Sequence, residues 1–65
     1  MLNAIKKARL TAGVTQTALA TQLGVTSGAI GQWEKGMTKP RPYRLKQIAA
    51  ILGTTVDEII SDWEE

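Results

Sequence analysis

Apolar residues recur at intervals of three and four along most of the chain and nowhere alternate strictly with polar ones. That spacing puts them on one side of a helix, and no stretch has the two-residue period of a strand. The breaks fall at glycines, threonines and one proline-rich stretch, and they divide the chain into five helical segments. The first runs from Leu2 to Ala12, with Leu2, Ile5, Ala8 and Ala12 near helical spacing and Gly13 after it. The second, Gln16 to Leu23, follows Thr15 as N-cap and stops at Gly24; its apolar positions are Leu19, Ala20 and Leu23. Thr26 caps the third, Ser27 to Lys35, which Gly36 ends. A linker with two prolines and two basic residues, Met37 to Pro42, leads to the fourth. This helix opens at Pro42, where the missing N–H costs nothing, and runs to Leu52 before Gly53. Leu45, Ile48, Ala49 and Leu52 form its buried stripe. The fifth opens on Thr55-Val56-Asp57-Glu58, a capping-box pattern, and repeats the stripe with Val56, Ile59, Ile60 and Trp63. The expected fold is compact, all-α and five-helical.

One window combines several independent requirements. Two helices crossing steeply at a tight turn need a small residue where the backbones approach, a residue at ease with positive φ in the turn, and inward apolar residues on both sides. Ala20, Gly24 and the set Leu19, Leu23, Val25, Ile30 and Trp33 supply these in residues 16–35. That combination is the sequence form of a helix-turn-helix, against the plainer alternative of an αα-corner in a bundle. Placed on a helical wheel, Ala29, Ile30 and Trp33 of the third helix share one side. Ser27, Gly28, Gly31, Gln32 and Lys35 share the other. Each glycine there costs about 1 kcal/mol against alanine in helix propensity. Two readings stand: the bare surface lets the helix seat deeply in a groove, or the glycines are tolerated exposed positions. Gln32 suits a bidentate pair with adenine and Ser27 bonds to several base edges, while Lys35 reaches a guanine or a phosphate.

Composition narrows the function. The chain has 65 residues, enough for one domain, expected to span 1–65. It lacks cysteine and histidine, so there is no disulfide framework, no zinc–thiolate site, and neither the commonest metal ligand nor the commonest general base. An enzyme is not expected, nor a metal, a cofactor or a small-molecule ligand. No apolar run approaches the roughly 18 residues of a membrane span, and no signal-peptide core is present, so the expected location is cytoplasmic. The net charge of +2 conceals a division. All eight Lys/Arg lie within residues 1–47 beside a single acid, Glu34, a local balance of +7; residues 48–65 carry five acids and no base, a balance of −5. A basic surface surrounds residues 16–35, and an acidic end follows it.

The stretch Val14–Ile60 resembles the lambda-repressor-like helix-turn-helix family, which includes lambdoid-phage repressors and Cro proteins. The resemblance covers about three quarters of the chain. It rests on Thr-Gln-Thr-Ala-Leu-Ala at 15–20, Gly-Val-Thr at 24–26, Ile-Gly-Gln-Trp-Glu-Lys-Gly at 30–36, Thr-Lys-Pro-Arg-Pro at 38–42 and Ile-Ala-Ala-Ile-Leu-Gly at 48–53. It implies a five-helix DNA-binding domain. It also implies that Gln16 contacts a phosphate from the start of the second helix, and that Ser27, Gly28 and Gln32 occupy the positions that meet base edges. Gly28 departs from the polar side chain that other members often carry there. Lys35, Lys39 and Arg41, with Tyr43 beside them, match the backbone-gripping region after the recognition helix, and one extra residue stands near Pro40. Arg9 and Glu34 match a salt-bridged pair; the alternative is a solvated Glu34.

The resulting expectation is a Cro- or repressor-like transcriptional regulator, of phage or prophage type, acting in a bacterial host near the nucleoid. It would occupy a palindromic operator on double-stranded DNA as a homodimer, since one small module buries too little DNA surface for high specificity. Ile59, Ile60 and Trp63 are dimer-interface candidates, with Trp63 equally able to close the monomer core. Rival roles are an antitoxin or a restriction-modification controller acting on its own gene, or a protein-interaction module that has lost DNA binding.

Overall fold

Four threonine or asparagine side chains start four of the five helices. In the computed structural model, which describes residues 3–63, α1 spans Ala4–Ala12, α2 Gln16–Leu23, α3 Ser27–Glu34, α4 Pro42–Leu52 and α5 Val56–Ile59. Thr15, Thr26 and Thr55 each accept a bond from the backbone N–H three residues on, with Oγ1 to N distances of 3.0, 3.2 and 3.1 Å. Each satisfies one of the N–H groups that a helix start leaves unpaired. Asn3 does the same for α1, its Oδ1 accepting from Ile5 N at 2.7 Å and Lys6 N at 3.3 Å. The first helix therefore begins two residues later than the apolar spacing predicts, and the expected Leu2 position lies outside the described residues. At α4 the proline itself starts the helix, and Arg41 makes no side-chain cap.

The core draws on every helix. Ile5, Leu19, Ile30, Ile48 and Ile59 are its fully buried centre, ringed by Ala20, Leu23, Trp33, Leu45, Ala49 and Leu52. Burial of each large aliphatic side chain contributes about 1.5–3 kcal/mol. The sequence stripes of α2 and α4 are the observed buried faces. That of α1 is not: Ala12 is exposed, and the position one turn after Ile5 is taken by a charged residue, Arg9. α2 and α3 pack against each other more extensively than any other pair, with α4 lying across α2. The turn between α2 and α3 depends on Gly24, whose φ of +72° would strain any side chain with a Cβ. No strand occurs among the described residues.

Two helix ends differ from the sequence reading. α3 stops at Glu34, with Lys35 as a right-handed cap before Gly36, one residue earlier than predicted. α5 is a single turn rather than a helix carrying its stripe to Trp63. The Ser61 hydroxyl donates to Glu58 O at 2.8 Å, and Asp62 Oδ2 accepts from Ala4 N at 3.0 Å. These bonds draw the chain out of helical geometry and lay it against α1.

Candidate nucleic-acid interface

α3 carries two unlike faces because its apolar residues are spaced for one side only. Ile30 and Trp33 are buried, whereas Ser27, Gly28, Gln32 and Lys35 are exposed. Ser27 is the first residue of α3, just after the Thr26 cap, so its side chain stands at the exposed helix start. A Cβ added at Gly28 would meet nothing closer than Thr26 Oγ1 at 3.8 Å, and one at Gly31 nothing closer than Gln16 Nε2 at 4.0 Å. Packing within the chain therefore does not require either glycine.

Behind this face lies a buried polar cluster. Arg9 Nε donates to Glu34 Oε2 at 2.6 Å and Arg9 Nη2 donates to Oε1 at 3.3 Å, a two-pronged ion pair. Arg9 Nη1 donates to Val14 O at 2.9 Å. Gln16 Nε2 adds a third bond to the carboxylate, at 2.9 Å from Oε1. Arg9 and Glu34 are buried, and among the described residues no buried side-chain nitrogen or oxygen lacks a partner. Removing a carboxylate from water is tolerable only when it is paired in this way. The cluster joins α1, α2 and α3, and it neutralises the one acid within residues 1–47. It also holds the half-buried Gln16 at the first residue of α2.

Five of the eight Lys/Arg lie after α3. Lys35, Lys39 and Arg41 are exposed, and so is Tyr43. Lys39 Nζ lies 4.9 Å from the centre of the Trp63 ring. Arg44 is placed differently: its Nη1 donates to Leu23 O and to Gln47 Oε1, and its guanidinium stands 5.1 Å from the Tyr43 ring. It closes the C-terminal end of α2 rather than standing free. Of the apolar residues read as interface candidates, Ile59 has no accessible surface and belongs to the monomer core. Ile60 and Trp63 are half-buried against that core.

Two residues that organise this region were not singled out in the sequence. Asn3 both caps α1 and donates from Nδ2 to Trp33 O at 3.0 Å, tying the start of α1 to the end of α3. An asparagine directly before a helical run is a cap signal and was there to be read. Arg44 had no such signal, because its acceptor is a backbone carbonyl 21 positions away.

The profile of a family described as Helix-turn-helix matches residues 5–59, all five helices of the fold. The chain belongs to the lambda-repressor-like helix-turn-helix family. It is also similar to the HTH-type transcriptional activator BcrR of Enterococcus faecalis, with 37% identity over 60 residues, covering 92% of this chain and 29% of that relative. The chain thus spans less than a third of the relative's length. No solved structure matches it significantly. In this helix-turn-helix, α2 and α3 are the two defining helices. No helix among the described residues is long and apolar enough to cross a membrane.

Proposed function

We propose that the chain is a sequence-specific DNA-binding unit of a transcriptional regulator, which inserts α3 into the major groove of an operator. The observation that carries this reading is the exposed row Ser27, Gly28, Gln32 and Lys35 on a helix whose opposite side anchors the core. A helix held this rigidly from behind offers its free side to base edges without reorganising. Gln32 pairs with adenine and Ser27 with a neighbouring base edge, while Gly28 contributes close approach rather than a hydrogen bond. Gln16, Lys35, Lys39, Arg41 and Tyr43 supply phosphate contacts that set register and most of the affinity. Gln16 suits this role because its amide is already oriented by Glu34, and because the N–H groups at a helix start favour an anion.

With so few base-reading side chains, much of the specificity comes from DNA shape at positions the protein does not touch. Two copies bind a palindromic operator, their recognition helices about 34 Å apart in successive major grooves. The regulator acts in the bacterial cytoplasm, at the host DNA. Regulation is Cro- or repressor-like, by occupying the operator and excluding RNA polymerase. The relative named as an activator supports a second reading, in which the same DNA module serves a protein that recruits rather than blocks.

Selection of bound sequences from a random duplex library tests the proposal. The wild type should return a palindromic half-site, and Gln32→Ala should relax one position of it. Return of no enriched sequence, or an identical half-site from Gln32→Ala, contradicts the assignment. A reporter placed behind the selected site then separates repression from activation.

A further inference from the structure

Residues 60–63, after α5, are tied back to the rest of the fold. Asp62 accepts from the backbone N–H of Ala4, the first residue of α1, at 3.0 Å. A carboxylate there also meets the positive end of the helix dipole. Ile60 packs on the core, and Trp63 lies half-buried beside a cleft that it shares with Asn3, Trp33 and Pro40. Across the face of its ring stands Lys39 Nζ, 4.9 Å from the centroid. Lys39 belongs to the stretch between α3 and α4, which has no regular structure to fix its side chain.

We propose that residues 60–63 form a strap that aligns the basic linker for DNA, with Trp63 acting as a positioning residue for Lys39. This rests on the DNA-binding reading given above. A free lysine loses most of its rotamer freedom when it grips a phosphate. The indole face restricts Lys39 before DNA arrives. It covers one side of the ammonium only, and the exposed remainder keeps donors for a phosphate oxygen. Asp62 fixes the strap by bonding it to α1, and Asn3 fixes α1 to the end of α3. The acidic end of the chain is thereby joined to the basic surface by one cation–π contact and one helix cap.

The test is a double-mutant cycle with the full chain, read by fluorescence anisotropy on a labelled duplex carrying the selected site. Trp63→Leu keeps an apolar side chain but removes the ring, Trp63→Phe keeps an aromatic face, and Lys39→Met keeps the stem but removes the charge. Trp63→Leu is expected to weaken binding about two- to fivefold, the factor corresponding to an exposed cation–π contact of ~0.5–1 kcal/mol. In the Lys39→Met background the same change should have less than about a 1.5-fold effect, because the group it positions is gone. Trp63→Phe should stay within about twofold of wild type, whether or not Trp63→Leu proves poorly folded by thermal melting. Equal losses in both backgrounds overturn the strap and assign Trp63 to folding or to the dimer contact. Failure of Trp63→Phe to restore binding overturns it too. A wild-type chain that binds no duplex overturns the DNA-binding reading itself, a result distinct from either of these.

Discussion

Replacing Glu34 strands a guanidinium in the interior. Arg9 is only 7% exposed, and its charge is balanced by that one carboxylate. Breaking a buried pair from one side costs about 3–5 kcal/mol, because the remaining charge keeps its desolvation penalty. Glu34→Ala should therefore lower urea-measured stability by about 3 kcal/mol or more, while the double replacement Arg9→Met with Glu34→Leu should recover most of the loss. A fall of no more than about 0.5 kcal/mol in Glu34→Ala would mean that the pair is only a surface contact. Residues 25 positions apart leave no local pattern, so this pairing was legible only through family resemblance. The Gln16 arm leaves no local pattern either, because its acceptor Glu34 lies 18 positions away. Gly28 supplies the opposite kind of test. Its Cβ space is open and its helix position is exposed, so Gly28→Ala should raise stability by about 1 kcal/mol in thermal or urea unfolding. DNA affinity should fall at the same time, since the added methyl meets the groove. Gains in both would identify Gly28 as a tolerated surface residue.

At the scale of elements, the residues that flank the helices decide how α3 is held. Asn3 satisfies two N–H groups of α1 and the Trp33 carbonyl of α3 with one side chain. Asn3→Ala should cost about 2 kcal/mol, from a lost cap and a lost hydrogen bond together. Urea denaturation checks this, and a loss below about 0.5 kcal/mol would show that α1 docks without it. The threonine caps and the stripes of α2 and α4 could be read directly, because each depends on residues within two turns of one another. The course of residues 60–63 could not. Their apolar spacing favours a continued helix, but the Asp62 bond to Ala4 crosses 58 positions and prevails over it. The same distance effect hid how the apolar stripe of the fifth segment is shared out: Ile59, a dimer-interface candidate from that stripe, has no accessible surface. Its partners come from other helices, and no one-dimensional pattern ranks them.

For the molecule as a whole, the division of charge and the burial of the interface candidates lead to separate expectations. With Ile59 in the core and Ile60 and Trp63 half-buried, these three candidates supply little of the roughly 800 Å² per partner that a stable dimer buries. Sedimentation should find a monomer at micromolar concentration that pairs only on its operator; a dimer at that concentration without DNA would locate the interface elsewhere. The charge division bears on the central claim. The Lys/Arg of residues 1–47, with a local balance of +7, should bind DNA largely by releasing counterions; of the acids that follow, Asp62 lines the same cleft as Lys39. If each subunit neutralises about three phosphates, one each with Lys35, Lys39 and Arg41, log K should fall with log salt at a slope near −2.7 per subunit. Equilibrium binding to the selected duplex, measured from low to physiological salt and repeated with a random duplex, is the most direct test. The account predicts that slope together with at least about a thousandfold preference for the selected sequence at physiological salt. A slope near zero, or equal affinity for both duplexes, would contradict it.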